Sequence, residues 1–210
     1  MMINVLSREE AGISFEQLVA LLHESFQERL DSGLKYSCSF MTEELFREKT
    51  SEGIVYVAID NESRLCGTAT LTIKIDRKGA KYAYFEYLGI RNDMKRKGLA
   101  TLLFIYIERE ALKFGCQYIM SDTSTQAESA IKYHLKNGFK IVGLESYRST
   151  NYWSYVFRKQ LVSSKKWNTT LYYKWQYLKS WIFIRLTRDI NGNDTILGRL
   201  YKTIKKKCKN

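Results

Sequence analysis

The spacing of apolar residues along the first part of the chain predicts two helices at the N-terminal side. The stretch ISFEQL opens the first helix, because Ser14 can cap it and Gln17 completes a capping box. The helical pattern continues to about Leu30. A second helix is predicted after Thr42, whose side chain can cap the N-terminus.

Three β-rich runs follow, at residues 54–59, 65–75 and 81–90. The short polar turns DNES and DRKGA separate them and predict an antiparallel meander. The pattern then changes to a helix near residue 99, a strand at QYIM, a helix at AESAIKYHLKN and two strands near FKIVGL and YWSYVFRKQL. The predicted order ααβββαβαββ indicates a mixed α/β fold.

The loop MKRKGLA leads from the last strand of the meander into a helix and combines three basic residues with a glycine. The first N–H groups of a helix have no acceptor within it, and they bind anions readily. Gly98 would let an anion approach the backbone, and Ala100 keeps the next turn small. The alternative is a solvated basic turn. Neither GK[ST] nor GxGxxG is present at the spacing that a Walker loop or a Rossmann fingerprint requires.

The stretch YLGIRNDMKRKGLATLL resembles motif A of the GNAT superfamily of acetyl-CoA-dependent N-acetyltransferases, whose pattern is [QR]-x-x-G-x-[GA]. Gly98 and Ala100 match its small residues, whereas Lys95 stands where the family usually has Gln or Arg. Downstream, SAIKYHLKNGFKIVG is similar to motif B and includes its Gly-Phe pair, Gly138 and Phe139. The resemblance covers roughly residues 1–160.

This resemblance implies a GNAT fold: a mixed central sheet with two N-terminal helices and a cofactor-binding helix after the fourth-strand region. It also implies acetyl-CoA as co-substrate, with no metal. The pyrophosphate is expected on backbone amides of residues 96–101, and the pantetheine arm beside residues 88–90 as an extra strand. The expected cofactor-binding residues are Leu88, Gly89, Ile90, Lys95, Arg96, Lys97, Gly98, Leu99, Ala100 and Thr101.

Transfer of an acetyl group to an amine needs a deprotonated amine, a polarised thioester and a proton for the departing thiolate. Glu86 is a charged residue inside the apolar strand YAYFEYLGI, where an ionised carboxylate is costly unless it is paired or used. Members of the family often place a catalytic carboxylate here. The alternatives are a lysine partner or a role in orienting the substrate. With period two, Glu86 is expected to share a face with Tyr84 and Leu88.

Many members of the family use a motif B tyrosine as proton donor to the thiolate. At that position this sequence has His134, preceded by Tyr133. An imidazole with an ordinary pKa of roughly 6.5 can donate a proton, although its charged fraction near neutrality is small. Tyr133 is the second candidate. A further departure is Ala127, which stands where the family often has Asn.

The composition is that of a folded protein in a reducing compartment. Hydrophobic residues make up 45% of the chain and charged residues 27%, which excludes wholesale disorder. The four cysteines, Cys38, Cys66, Cys116 and Cys208, show no CxxC or CxxH spacing, so we expect reduced thiols rather than a zinc site or a disulfide framework. The predicted location is therefore cytoplasmic.

Positive charge is concentrated in the last fifty residues. The segment 161–210 has 12 Lys and Arg against 2 Asp and Glu, out of 34 and 22 in the whole chain. Within it, Trp167, Leu171, Trp175, Leu178 and Ile182 recur at helical spacing. The two interpretations are a helix packed on the body and a peripheral contact with an anionic membrane at its inner face. No nucleic-acid-binding motif is recognised.

We therefore expect a GNAT acetyltransferase domain over residues 1–160 and a basic, aromatic helical extension over residues 161–210. The expected activity is direct transfer from acetyl-CoA to a primary amine of a small molecule, an amino sugar among them, or of a protein. The acidic residues Glu24, Glu28 and Asp31 of the first helix either bind a cationic acceptor or form a solvated face. The alternative is a catalytically degenerate acyl-CoA-binding module that acts as a membrane-associated interaction protein.

Overall fold

The computed structural model describes residues 2–162 and 170–207. The strands are β1 (Ile3–Ser7), β2 (Gly53–Asp60), β3 (Leu65–Ile75), β4 (Lys81–Ile90), β5 (Tyr118–Ser124), β6 (Lys140–Ser146) and β7 (Trp153–Gln160). The helices are α1 (Arg8–Ala11), α2 (Phe15–Asp31), α3 (Glu43–Thr50), α4 (Leu99–Lys113), α5 (Glu128–Lys136), α6 (Thr170–Thr187) and α7 (Ile196–Lys207). The strand order is β1-β2-β3-β4-β5-β7-β6. The predicted mixed α/β fold is confirmed.

Two of the predicted helix starts are confirmed by their capping bonds. Ser14 Oγ accepts from the N–H of Gln17 at 3.1 Å, and the Gln17 side chain accepts from the N–H of Ser14 at 2.8 Å. Thr42 Oγ1 accepts from the N–H of Leu45 at 3.1 Å. These bonds satisfy N–H groups that the helix itself leaves without an acceptor, which is why the local sequence determines where α2 and α3 begin.

The antiparallel meander β2-β3-β4 is confirmed, but the chain begins with two elements that the sequence pattern did not reveal. Strand β1 pairs antiparallel with β2, from Ile3 opposite Asp60 to Ser7 opposite Tyr56. Five residues are too few for a clear alternation. The short helix α1 follows a capping box between Ser7 and Glu10, and this S-x-x-E spacing was a readable signal.

The chain divides into two compact units, and the first contains residues up to 121 together with 160–162. Strand β4 pairs with β3 in this unit, and its successive side chains face opposite sides. Ile90 belongs to a core cluster with Leu99 and Leu103 of α4. A Cβ on Gly89 would lie 3.0 Å from Leu22 of α2. Helices α2 and α4 therefore cover opposite faces of β4.

The second unit contains residues 122–159 together with the described residues 170–207. Strands β6 and β7 pair antiparallel, and α6 packs along β6, the last strand in the sheet order. Ser180 Oγ donates to the carbonyl of Leu144 at 2.8 Å and accepts from its N–H at 2.9 Å. Tyr173 and Ile184 are 5% and 4% exposed. Helix α6 thus protects polar backbone groups of an edge strand.

The predicted stripe of apolar residues on α6 does not lie in the core. Leu171, Trp175, Leu178 and Ile182 are exposed, because the face that α6 packs on the sheet is the opposite one, with Tyr173. Trp167 lies outside the described residues. No helix in the described part of the chain combines the length and the hydropathy that a bilayer span requires.

Three of the four cysteines lie in the described part of the chain. Cys38, Cys66 and Cys116 are buried thiols that form no disulfide. Burial raises the pKa of the Cys66 and Cys116 thiols. Thiols of raised pKa are poor nucleophiles at neutral pH, which supports a packing role for these two side chains. Cys208 lies outside the described residues.

Candidate functional site

The loop between β4 and α4 ends in a left-handed backbone conformation, which favours glycine over residues that carry a Cβ. Gly98 is the N-cap of α4 with φ +83°, and no side chain in the described residues caps this helix. A Cβ built on Gly98 would meet nothing within 4 Å. The helix end therefore presents an open approach to its first N–H groups, and a group of negative charge is stabilised there.

Two other residues of this segment also have positive φ without being glycine. Arg96 has φ +62°, and Tyr87 in β4 has φ +52°. The register between β3 and β4 shifts at this place: Thr70 lies opposite Glu86, but Thr68 lies opposite Gly89. Strand β4 therefore has one extra residue at Tyr87, which is a β-bulge.

The bulge overturns one expectation about Glu86. Regular alternation would put Glu86 and Leu88 on one face of the sheet. The extra residue reverses the face to which each later side chain of β4 points. Leu88 packs with Ile90 against the core cluster next to α4. Glu86, opposite Thr70 in the ladder, shares its face with Gly89, which is the face that α2 covers.

Strand β4 also leaves its parallel partner early. Its ladder with β5 joins Tyr82, Ala83 and Tyr84 to residues 118–120, and it extends no further within the described chain. The bulge and the expected cofactor-binding residues 88–90 lie beyond the end of this ladder. This is the part of β4 where an extended ligand would find the edge of a strand rather than a neighbouring strand.

Helix α2 contacts the same segment through two adjacent residues. Ser25 Oγ accepts from the N–H of Ile90 at 3.0 Å, and the Glu24 carboxylate accepts from the N–H of Asn92 at 2.7 Å. Lys95 Nζ donates to the Ser25 carbonyl at 3.1 Å. Sequence reasoning missed Ser25, because 65 residues separate it from Ile90 and nothing local indicates the contact.

These contacts distinguish the basic residues of the loop from one another. Lys95 is directed at α2 by its bond to Ser25, whereas Arg96 and Lys97 are exposed beside Gly98. Of the acidic residues considered for the acceptor, Glu24 holds the loop, and Asp31 accepts from the Gln27 amide at 2.7 Å. Arg96 and Lys97 are thus the two cations that remain at the surface of the loop.

The two candidate proton donors lie in α5, in the second unit. His134 is buried, its Nδ1–H donates to the Ala130 carbonyl at 2.7 Å, and its ring stacks on Phe157 with centroids 4.5 Å apart. Phe139 approaches the ring edge-on at 5.1 Å. Burial lowers the pKa of His134, and its bond to Ala130 offsets only part of this. The imidazole is therefore neutral at pH 7.

Tyr133 precedes this histidine and is half-buried. Burial raises the pKa of the Tyr133 hydroxyl far above its ordinary value. A phenol of raised pKa keeps its proton throughout the neutral and mildly basic range. The two neighbouring side chains thus differ in protonation at neutral pH: the tyrosine retains a proton to donate, and the histidine is not charged.

The geometry of the first unit indicates a protein that binds a phosphate-bearing ligand. A bulged strand that leaves its parallel ladder, followed by an open helix N-terminus beside exposed cations, is suited to an extended ligand that ends in phosphates. The family model of the GNAT acetyltransferases matches residues 15–139, which include this strand, the loop and α5. The chain belongs to the GNAT acetyltransferase family, whose co-substrate is acetyl-CoA.

Solved structures of acetyltransferases resemble the chain in fold. The PaiA N-acetyltransferase of Thermoplasma acidophilum, crystallised with coenzyme A, has 21% identity and a TM-score of 0.55, over 76% of this chain and 99% of that one. The ribosomal-protein-S18-alanine N-acetyltransferase of Escherichia coli has 12% identity and a TM-score of 0.60, over 80% and 99%. None of the curated proteins matches the chain.

A third structure of similar fold is that of an aminoglycoside 6'-acetyltransferase of type Ii. It has 20% identity and a TM-score of 0.57, over 78% of this chain and 99% of that one. At such low identities the likeness establishes the fold of this chain. It does not identify the acceptor.

Proposed function

We propose that the protein transfers the acetyl group of acetyl-CoA directly to a primary amine, in a complex that holds both substrates. The observation that carries the proposal is the open, left-handed Gly98 at the uncapped start of α4, next to a bulged strand. The helix end would bind the pyrophosphate through backbone amides of residues 96–101, with Arg96 and Lys97 adding charge. Residues 88–90 would pair with the pantetheine arm.

The bond between Ser25 and Ile90 bears on this arrangement. The N–H of Ile90 already donates to Ser25 Oγ at 3.0 Å. A pantetheine carbonyl that used this N–H would therefore replace the hydroxyl, and binding would exchange one hydrogen bond for another. Such an exchange contributes little net free energy, so the affinity would come mainly from the phosphates at Gly98.

Glu86 is proposed to accept the proton of the amine, directly or through a water molecule. The amine nitrogen then attacks the thioester carbonyl, the carbon–sulfur bond breaks, and the departing thiolate needs a proton. Glu86 lies at the last ladder position before the bulge, where the strand changes direction. Bulges often lie next to active sites, so the position of this carboxylate directly before the bulge supports a role toward a ligand.

Tyr133 is the better supported of the two proton donors. Its hydroxyl remains protonated at neutral pH, whereas the buried His134 is neutral and already donates its Nδ1–H to Ala130. Transfer of the phenol proton to the coenzyme A thiolate requires a direct hydrogen bond between the two groups, because the raised pKa makes Tyr133 a weaker acid than an ordinary phenol. His134 would then act by packing, since its ring lies between Phe139 and Phe157.

The acceptor stays open between a small molecule, an amino sugar among them, and a protein amine. The similar structures include enzymes named for an aminoglycoside and for a ribosomal-protein alanine. Their acceptors share only an amine, and that is the class we propose for this protein. Because Glu24 and Asp31 already accept hydrogen bonds, Glu28, exposed on α2, is the acidic residue that we propose for binding a cationic acceptor.

The test is the release of free coenzyme A thiol from acetyl-CoA in the presence of a library of amines. Glu86→Gln should lower turnover by about a hundredfold and leave the acetyl-CoA-induced rise in melting temperature intact. Glu48→Gln, at an exposed position of α3, is the matched control and should leave turnover unchanged. Unchanged turnover in Glu86→Gln would remove the carboxylate from the mechanism. Binding of acetyl-CoA without thiol release for any amine would favour the degenerate acyl-CoA-binding module.

A further inference from the structure

Helices α6 and α7 carry a large apolar surface that residues 2–162 and 170–207 leave uncovered. We call it the α6–α7 surface. On α6, Leu171 and Trp175 are 78% and 54% exposed. The residues of the α6–α7 surface are Leu171, Trp175, Leu178, Ile182, Phe183 and Leu186 of α6, and Ile196, Leu197, Leu200, Tyr201 and Ile204 of α7. The rings of Phe183 and Tyr201 meet edge-on, with centroids 5.1 Å apart. This contact makes the apolar residues of α6 and those of α7 one continuous surface.

The orientation of α6 makes this exposure a property of the fold and not of a loosely attached helix. Tyr173, Ser180 and Ile184 occupy one side of the helix, where they pack or bond against the sheet. At 100° per residue, Leu178 and Ile182 lie on the opposite side. Helix α6 is therefore apolar on two faces, and only one of them is buried.

Helix α7 is attached to α6 at close range. A Cβ on Gly198 would overlap the carbonyl of Thr187, so only glycine permits this approach. Thr195 Oγ1 caps α7 by accepting from the N–H of Gly198 at 3.1 Å. The apolar residues of α7 follow the spacing 196, 197, 200, 201 and 204, which is one continuous helical face.

Basic side chains border the apolar face of α6 on both sides. Lys174 and Arg185 project on one side of the stripe and Lys179 on the other, at the angles that their positions in the helix dictate. Lys179 Nζ lies 4.9 Å from the centre of the Trp175 ring, and the Arg185 guanidinium 4.8 Å from that of Trp181. In each of these two pairs the cation lies against the face of an aromatic ring, so the charged and the aromatic group would meet the same part of a partner surface.

Charge distinguishes between the candidates that could cover this surface. The segment 161–210 has 12 Lys and Arg against 2 Asp and Glu, and Lys202 holds Asp194 at 2.6 Å. A second copy of the chain would bring two strongly positive surfaces together, which repel. Nucleic acid would complement the charge but not the exposed Leu and Ile side chains. A bilayer with anionic headgroups complements both the apolar stripe and its basic border.

We propose that the α6–α7 surface binds the interface of an anionic lipid bilayer, with both helices in the plane of the headgroups. The apolar side chains would enter the boundary between headgroups and acyl chains, and the basic side chains would contact the headgroup phosphates. This inference goes beyond acetyl transfer and does not depend on it. It predicts where the enzyme works: beside a membrane, on acceptors present there.

Co-sedimentation of the full chain with vesicles tests the proposal. At low salt the protein should bind phosphatidylcholine vesicles that contain phosphatidylglycerol and should not bind vesicles of phosphatidylcholine alone. Lys174→Gln with Lys179→Gln should weaken the partition by about fivefold for each lysine, because one cation near an anionic surface contributes about that factor. Lys49→Gln with Lys136→Gln, two exposed lysines elsewhere, is the matched control and should bind as the wild type does.

The apolar contribution is tested with Leu178→Gln and Ile182→Gln together. Both side chains are exposed, so the variant should fold and keep its melting temperature while its partition falls by about tenfold or more. Leu45→Gln with Leu112→Gln, at exposed positions of α3 and α4, is the control. Absence of binding by the wild type, or equal loss in the control, would overturn the proposal. So would a dimer in light scattering that Leu178→Gln with Ile182→Gln converts to a monomer, since the surface would then bind a second copy.

Discussion

Two glycines with the same backbone conformation lie at opposite ends of α4. Gly98 has φ +83° before the helix and Gly115 has φ +77° after it, and a Cβ on either would meet nothing within 4 Å. Sterically the two positions are therefore equivalent. They differ in what they face: Gly98 precedes the N-terminus of the helix, where an anion is stabilised, and Gly115 follows the C-terminus, where it is not.

This pair separates backbone strain from ligand binding. Gly98→Ala and Gly115→Ala should each lower the free energy of unfolding by about 1–2 kcal/mol, because an alanine in the left-handed region is strained. Only Gly98→Ala should also reduce the rise in melting temperature that acetyl-CoA causes. Thermal denaturation with and without acetyl-CoA measures both effects. An equal ligand-induced shift in the two variants would place the phosphates elsewhere.

The protonation states of Tyr133 and His134 predict the shape of the pH profile. A histidine that donates a proton must be charged, and burial lowers the pKa of His134, so activity that depended on it would fall continuously through the neutral and basic range as the imidazolium is lost. The raised pKa of Tyr133 keeps its proton in place well beyond pH 9. We expect kcat to rise to a plateau without a decline between pH 7 and 9, and Tyr133→Phe to lower that plateau. A decline across this range in the wild type would assign the proton to His134.

At the scale of elements, helix α6 and strand β6 depend on each other. Strand β6 ends the sheet order, and its backbone would otherwise present unpaired groups at an edge. Ser180 supplies both a donor and an acceptor to Leu144, and Gly143 lets the helix approach, since a Cβ there would lie 3.0 Å from Ser180 Oγ. Leu144 itself is buried.

Ser180→Ala should therefore destabilise the protein by about 1–3 kcal/mol, since it leaves the N–H and carbonyl of Leu144 without this partner. Thr203→Ala is the control: its hydroxyl bonds to the Arg199 carbonyl on the exposed side of α7, and its loss should change stability by less than about 0.5 kcal/mol. Urea denaturation of both variants gives the comparison. If Ser180→Ala were as stable as Thr203→Ala, water would replace the Ser180 hydroxyl without loss of free energy of unfolding.

At the scale of the whole molecule, α6 and α7 differ in what the fold gains from them. Helix α6 buries Tyr173 and Ile184, whereas Ile196 and Leu200 of α7 are more than half exposed. The division of the chain at residue 160 into a catalytic domain and an extension remains a prediction. Because α6 packs on β6, removing the residues after 160 tests this division directly.

A chain that ends after residue 162 should unfold at a markedly lower temperature or aggregate, because burial of one large side chain contributes about 1.5–3 kcal/mol and α6 provides two. A chain that ends after residue 194 removes α7 alone and should keep most of its stability. Melting temperatures of the two truncated chains, with the full chain as reference, measure the difference. An undiminished melting temperature after removal of α6 would show that the extension is a separate appendage.

The helix starts at Ser14 and Thr42, the meander and the glycine before α4 could all be predicted from the sequence. Each depends on residues within a few positions of one another, so local propensity and capping determine it. The family followed from two motifs of the same local kind. The short β1 could not be predicted, because it is a strand only through its pairing with β2, some fifty residues away.

The features of the site and of α6 that the sequence could not predict depend on contacts between residues far apart in the chain. The bulge at Tyr87 reverses the side of Leu88 relative to Glu86, and it exists only in the register between β3 and β4. Ser25 reaches Ile90 because α2 crosses β4. In α6 the sequence offers two apolar faces of similar strength, and spacing alone cannot choose between them. Only the sheet, which buries Tyr173 and leaves Trp175 exposed, determines which face remains for a partner.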